Sequence, residues 1–220
     1  MIKTFSYDES YIEFSSNSYI VGKNNKPCIV IDLWTTSNDV VNYVKEHHSK
    51  CEGIVLTHGH FDHIRGINKF LNSFKGTKIF VHENDLKLLT DPIKNCSITH
   101  HGEKVTVNSA DIITYKDGDT LKFDSCLIKV ISTPFHTLGS SCLLVEDDNA
   151  LFTGDTLFKG SIGRTDLPTS DSGLVPSSLR KLVKLSELLV CYPGHGPHTT
   201  LKAEKENNPF FKEILWKTFL

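Results

Sequence analysis

No apolar run in this 220-residue chain approaches the length of a membrane span, and its first ten residues lack the apolar core of a secretory signal. A membrane or exported protein is therefore not expected, and the chain is read as cytoplasmic. Charge of one sign is lacking too: 24 basic and 26 acidic side chains leave a formal charge of -2. A nucleic-acid or anionic membrane surface would need a basic excess that is not there. There are six cysteines but no C-x-x-C pair, and several sit in apolar runs such as Cys28-Ile29-Val30-Ile31. Free buried thiols of a reducing compartment are expected, rather than disulfides or a cysteine zinc site. Low-complexity linkers are also missing, so one domain over residues 1–220, closed by a short charged helical tail, is expected. A chain of this length can bury a core without disulfide or metal staples.

Against these absences stands Thr57-His58-Gly59-His60-Phe61-Asp62-His63, with three imidazoles and one carboxylate in six consecutive positions. A packed core has no use for such a cluster. Imidazole and carboxylate are the ligands that zinc, iron and manganese accept. The segment follows the apolar run Gly53-Ile54-Val55-Leu56, which reads as a short buried strand emptying into a loop. Two apart in extended backbone, His58 and His60 project to one side. Asp62 and His63 come where the chain turns towards a helix expected over 65–74, so they face the same spot from another direction. Two pairs approaching from two directions suit a two-metal site better than a single four-ligand cage. The pair His100-His101, by contrast, reads as an ordinary exposed histidine loop.

Strands are expected over 11–14, 18–21, 28–33, 53–56 and 78–81, with helices after Ser37 or Asn38 and over 83–89. A second half repeats this order, with strands at 111–115, 120–123, 126–132, 141–146, 150–153 and 188–192 and a helix over 176–185. This predicts an α+β fold of two β-rich halves sandwiched between helices. Three later strand ends share one design. Thr133-Pro134-Phe135-His136-Thr137 presents His136, Phe152-Thr153-Gly154-Asp155-Thr156 presents Asp155, and Tyr192-Pro193-Gly194-His195-Gly196 presents His195. In each, glycine or proline beside the polar residue stops the strand and fixes the backbone.

In this order the four motifs resemble the metallo-β-lactamase superfamily, over about residues 18–209. Gly163-Arg164-Thr165-Asp166-Leu167-Pro168 and Glu204-Lys205-Glu206-Asn207-Asn208-Pro209-Phe210 further resemble its glyoxalase II-like hydrolase branch. The resemblance implies a four-layer αββα sandwich with the metals at one edge of the two sheets. It implies that His58, His60 and His136 hold one ion, that Asp62, His63 and His195 hold a second, and that Asp155 bridges them. Two divalent ions are expected, zinc first, with iron or manganese as alternatives. Asp32 is the candidate for fixing a histidine tautomer; a turn or capping aspartate is the other reading.

Two ions on a shared carboxylate lower the pKa of a bridging water towards ~7, and the resulting hydroxide attacks a carbonyl. The expected function is a glyoxalase II-like thioesterase acting on S-lactoylglutathione or a related small thioester, with Asp62 also taking a proton. A mono-iron persulfide dioxygenase, using His58, His136 and Asp155, is the alternative; hydrolysis of another ester or lactone is the next. Asp155 stands where the true β-lactamases of the superfamily carry cysteine or serine, which argues against antibiotic hydrolysis. The region after His195 is too short for the usual glutathione-gripping helices, and Lys202 and Lys205 read as solvated charges. Phe135 replaces a glycine usual before the third histidine. Its ring would narrow the mouth and favour an apolar acyl group, or pack inward. Arg164 and Asp166 read as a structural pair.

Overall fold

The structure is a computed structural model and describes residues 1–6 and 15–216. Its strands are β1 (Ile2–Phe5), β2 (Ser18–Gly22), β3 (Cys28–Ile31), β4 (Cys51–Val55), β5 (Lys78–His82) and β6 (Ile112–Tyr115), followed by β7 (Thr120–Lys122), β8 (Leu127–Ser132), β9 (Ser141–Val145), β10 (Ala150–Gly154), β11 (Val190–Pro193) and β12 (Thr199–Thr200). The helices are α1 (Asp39–His47), α2 (Phe61–Ile64), α3 (Ile67–Ser73), α4 (Val175–Val183), α5 (Leu201–Asn207) and α6 (Pro209–Trp216). One sheet runs β1-β2-β3-β4-β5-β6 and the other β12-β11-β10-β9-β8-β7.

Strand alternation builds the layers. Tyr19, Val21, Ile29, Ile31 and Val55 face the second sheet and meet Ile128, Val130, Leu143, Val145 and Phe152. Their neighbours Ile20, Cys28, Val30 and Ile54 face outward onto Val40, Val44, Ile64, Ile67 and Phe70 of the first three helices. On the far side Cys142, Leu144, Leu151 and Cys191 meet Leu179, Leu182, Leu201 and Phe211 of the last three. Both faces of each sheet are covered, which is why these strands read as continuous apolar runs. The result is the expected αββα sandwich. All six cysteines are free, and four of them are buried.

Several boundaries differ from expectation. The strand at 112–115 does not open the second half: it is the sixth strand of the first sheet, parallel to β5 with Ile79 opposite Ile112. Alternation reveals which face is buried but not which sheet is joined, and a parallel neighbour needs the long crossover that residues 83–111 supply. The 28–33 strand stops at Ile31 because Asp32 adopts φ +51°. The helix expected from 65 starts at Phe61, in two pieces, so Asp62 and His63 are already helical. The edge strands β1 and β12 had no clear periodic signal, being four and two residues long. The expected 11–14 strand lies outside the described residues. Among the described residues, no helix is long and apolar enough to cross a membrane.

Candidate metal centre

The strands β3 and β4 run parallel, as do β10 and β11, while β8 is antiparallel to β9 and β9 to β10. The C-terminal ends of β8, β10 and β11 therefore lie at one edge of their sheet, and the loops leaving them carry His136, Asp155 and His195. From the other sheet, β3 ends at Asp32 and β4 at the Thr57–His63 segment. All seven expected ligands are brought together. His58, His60 and His136 form one group, His58, His63 and Asp155 a second, and Asp62, His63 and His195 a third, with the candidate ligand atoms of each group within 4.8 Å of one another. Asp155 lies between: its Oδ1 is 3.4 Å from His63 Nε2, and its Oδ2 is 3.3 Å from His136 Nε2 and 3.5 Å from His195 Nε2.

Whether this cluster suits a cation is decided by its inner atoms. His58 Nε2, His63 Nε2 and Asp155 Oδ1 are buried with no hydrogen-bond partner. Orphaned polar atoms of this kind cost about 1–3 kcal/mol each, and here they converge. His60 Nδ1 and His136 Nε2 face each other at 2.9 Å. The outer nitrogens, by contrast, are all held. His136 Nδ1 meets the Arg164 carbonyl at 2.9 Å and His195 Nδ1 the Ser15 carbonyl at 2.9 Å. A carbonyl only accepts, so both rings donate from Nδ1 and turn Nε2 inward, free to bind once it carries no proton. His63 Nδ1 lies 2.7 Å from Asp32 Oδ2, His58 Nδ1 3.2 Å from the Thr57 hydroxyl, and His60 Nε2 3.3 Å from the Thr169 hydroxyl. Inward lone pairs with fixed outer partners are what a metal site requires.

Asp32 stands where tautomer control was expected, and does more. It accepts from the Thr57 backbone N–H at 2.8 Å and the Thr57 hydroxyl at 2.7 Å besides meeting His63. Those bonds offset its left-handed backbone, which costs about 1–2 kcal/mol in a non-glycine residue.

The electrostatics divide the ligands. Burial, reinforced by neighbouring imidazoles, pushes His58 far down and His60 to about 3, so both offer neutral nitrogens. Burial alone would also lower His63 and His195. The Asp62, Asp32 and Asp155 carboxylates overcome it and raise His63 well above its ordinary value; Asp155 and Asp62 raise His195 to about 9. Asp62 and Asp155 are in turn held well below the carboxylate range, against the upward pull of burial, by His63 and His195, with His136 adding to the effect on Asp155. Without a cation, then, protons on His63 and His195 balance the carboxylates. Metal uptake at pH 7 must expel them, about one proton each. The His195 share of that release should fade as pH rises past about 9, where this ring loses its extra proton without any metal. Calorimetry of zinc binding in buffers of different ionisation enthalpy measures this; equal heats in all buffers at pH 7 would contradict it.

Beside the ligands opens a cavity of about 380 Å³, walled by Phe61, Phe158, Ile162 and Leu167 as well as Cys96 and His100. His100 was expected on an exposed loop; the π-helical turn Ser97–His101 instead sets it on the cavity wall. Of the two readings of Phe135, the structure shows the inward one and corrects its candidacy as a substrate-binding residue. Its side chain is fully buried and does not line the cavity, because its N–H and carbonyl bond Thr137 and Asp171 and turn the ring inward. Arg164 and Asp166 do form a two-pronged pair, at 2.7 and 2.8 Å. Lys205 is not merely solvated, since it donates to the Leu185 carbonyl at 2.8 Å. Glu204 and Asn208 of the tail are buried and brace the cavity wall, Glu204 accepting from Gly160 N–H at 2.8 Å and Asn208 donating to the Ser161 carbonyl at 3.0 Å. Reading the sequence missed Ser15 and Thr169. Ser15 acts through a backbone carbonyl, which leaves no trace in residue identity, and Thr169 lies far from the cluster in sequence.

The geometry agrees with what comparison finds. Residues 11–195 match the sequence profile of the metallo-beta-lactamase superfamily. A Streptococcus pyogenes protein named "Probable metallo-hydrolase" is 31% identical over 92% of this chain and 88% of its own. The hydroxyacylglutathione hydrolase GloC of Haemophilus influenzae is 29% identical, over 90% and 93%. Among solved structures, the B3 metallo-beta-lactamase BLEG-1 superposes with a TM-score of 0.85 at 28% identity, covering 96% of this chain and 99% of its own. With its αββα layers and seven converging candidate ligands, this chain belongs to the metallo-beta-lactamase superfamily and is a metallo-hydrolase of that fold.

Proposed function

We propose that the protein is a binuclear, glyoxalase II-like thioesterase acting on S-lactoylglutathione or a related small thioester. The observation that carries the reading is the completeness of the ligand set: two groups of inward-facing donors, with Asp155 reaching both. When bound, two divalent ions supply an acidified water and an electrophile for the carbonyl oxygen. The protein's own groups do the rest. Asp62, whose Oδ2 lies 3.0 Å from His195 Nε2 and which lines the cavity, would help hold an ion and would take the proton of the attacking water. The apolar wall of Phe61, Ile162 and Leu167 packs the substrate and excludes bulk water.

The similarity to a hydroxyacylglutathione hydrolase along nearly the whole chain supports a thioester. The Gly163–Pro168 and Tyr192–Pro197 stretches, which resemble the hydrolase branch, favour a hydrolase over the mono-iron dioxygenase alternative. The donors suit zinc, and iron or manganese as well.

The test is a panel on one metal-loaded preparation: S-lactoylglutathione, a thioester with an apolar acyl group, a simple ester, a lactone, a β-lactam, and glutathione persulfide with oxygen uptake recorded. The β-lactam is included because of the name borne by the solved neighbour. Thioester cleavage with the highest kcat/KM is the expected outcome. Oxygen uptake on the persulfide without thioester cleavage, or preference for the ester, lactone or lactam, would refute the thioesterase reading.

A further inference from the structure

Asp85 belongs to none of the ligand groups and does not line the cavity, yet it is completely buried on the 3-10 turn Glu83–Leu89. Its Oδ2 accepts from the Gly59 N–H at 2.9 Å and from the Thr137 hydroxyl at 2.7 Å; its Oδ1 accepts from the Gly139 N–H at 2.8 Å. Gly59 lies between His58 and His60. Thr137 and Gly139 follow His136. One carboxylate therefore grips both loops that carry the three-histidine group. Its hydrogen bonds reach no residue of α2, which bears Asp62 and His63, and none of the loop bearing His195.

The contact is close as well as polar. A Cβ at Gly139 would lie 2.5 Å from the Asp85 Cγ, and one at Gly59 would lie 2.7 Å from the Leu88 Cβ on the same turn. Both loops are seated directly on the turn with no side chain between. A buried carboxylate with three donors forms a stiff joint, because losing one partner leaves a buried polar group unpaired at about 1–3 kcal/mol.

We propose that Asp85 is a positioning residue that pre-forms the three-nitrogen site of His58, His60 and His136. It thereby sets the cation affinity of that group separately from the group of Asp62, His63 and His195. This rests on the metal reading above. Orienting partners behind metal ligands are typically worth 10–100-fold in affinity, and Asp85 orients three ligands through their loops rather than through one ring.

The test uses the full chain and cobalt(II), with binding followed by absorption and chelator competition. A His195→Ala background leaves the three-histidine group intact, and a His60→Ala background leaves the other. In Asp85→Asn the amide keeps the shape but offers one acceptor oxygen, so a Gly59 or Gly139 N–H faces an NH2. The expected result is an affinity loss of about 10–100-fold in the His195→Ala background and under about twofold in the His60→Ala background. Thr137→Val removes one arm without emptying the site and should lose several-fold in the same background only. It carries the test if Asp85→Asn does not fold. Equal losses in both backgrounds would show a merely structural role, and no loss in the first would end the proposal. If the parent chain binds no cobalt, the metal reading itself falls; if it binds two equivalents while Asp85→Asn and Thr137→Val bind as tightly, only the role of Asp85 falls.

Discussion

Asp155→Asn should lower kcat/KM for the proposed thioester substrate by at least about a thousandfold, or roughly 4 kcal/mol of transition-state stabilisation, and should cost one of the two metal equivalents proposed above. The carboxylate spans both groups, with Oδ1 toward His63 and Oδ2 toward His136 and His195. An amide has the same shape but one acceptor oxygen, and it carries no charge to hold two cations together. Because volume is conserved in a buried position, the fold should survive, and thermal unfolding of the metal-free protein separates this effect from misfolding. A second readout concerns His195, which Asp155 and Asp62 together raise to about 9. Removing the Asp155 charge must lower that value, visible in the NMR titration of the imidazole in metal-free protein. An Asp155→Asn variant that kept both ions and full activity would remove Asp155 from the centre.

Gly194→Ala should be nearly as damaging, for a steric reason. A methyl group there would collide with the Asp155 carboxylate and lie 2.7 Å from His63 Cε1. The backbone has no room to retreat, since the Gly194 N–H donates to the Gly154 carbonyl at 2.8 Å and its own carbonyl accepts from the Asn17 N–H at 2.6 Å. The ligands must therefore yield. A displacement near 1 Å in a catalytic constellation costs about a hundredfold, while the overpacking itself costs about 1–3 kcal/mol of stability. Gly196→Ala is the control. Gly196 has φ +72° with nothing within 4 Å of a Cβ, so alanine there meets backbone strain but no ligand. Loss of activity in both variants alike would show that loop conformation, not the approach to Asp155, matters.

The side chains that converge on the candidate metal centre were legible in the sequence because metal chemistry depends on side-chain type. Four donors within six positions at His58–His63 have no packing explanation, and His136, Asp155 and His195 each follow an apolar strand within two residues of glycine or proline. The layered fold was legible for a similar reason, as strands buried on both faces must be apolar throughout. What stayed hidden depends on partners distant in sequence. The carbonyls of Ser15 and Arg164 orient two histidines, yet any residue there has a carbonyl. Asp85 looked like one more polar residue of a short helix, since nothing local shows that two glycine loops settle on it. The same holds for Phe135, whose inward turn is set by backbone bonds to Thr137 and Asp171, and for 112–115, whose apolar alternation fits either sheet. His100 was misjudged because its exposure depends on a π-helical turn that no periodicity announces.

The central claim is that these seven side chains form one two-ion centre bridged by Asp155. Its most direct test is anomalous scattering from crystals of the protein saturated with zinc. Two peaks about 3.5–4 Å apart are predicted, one against His58, His60 and His136, the other against Asp62, His63 and His195, with Asp155 touching both. A single peak at saturating zinc, or two peaks that do not share Asp155, would contradict the account.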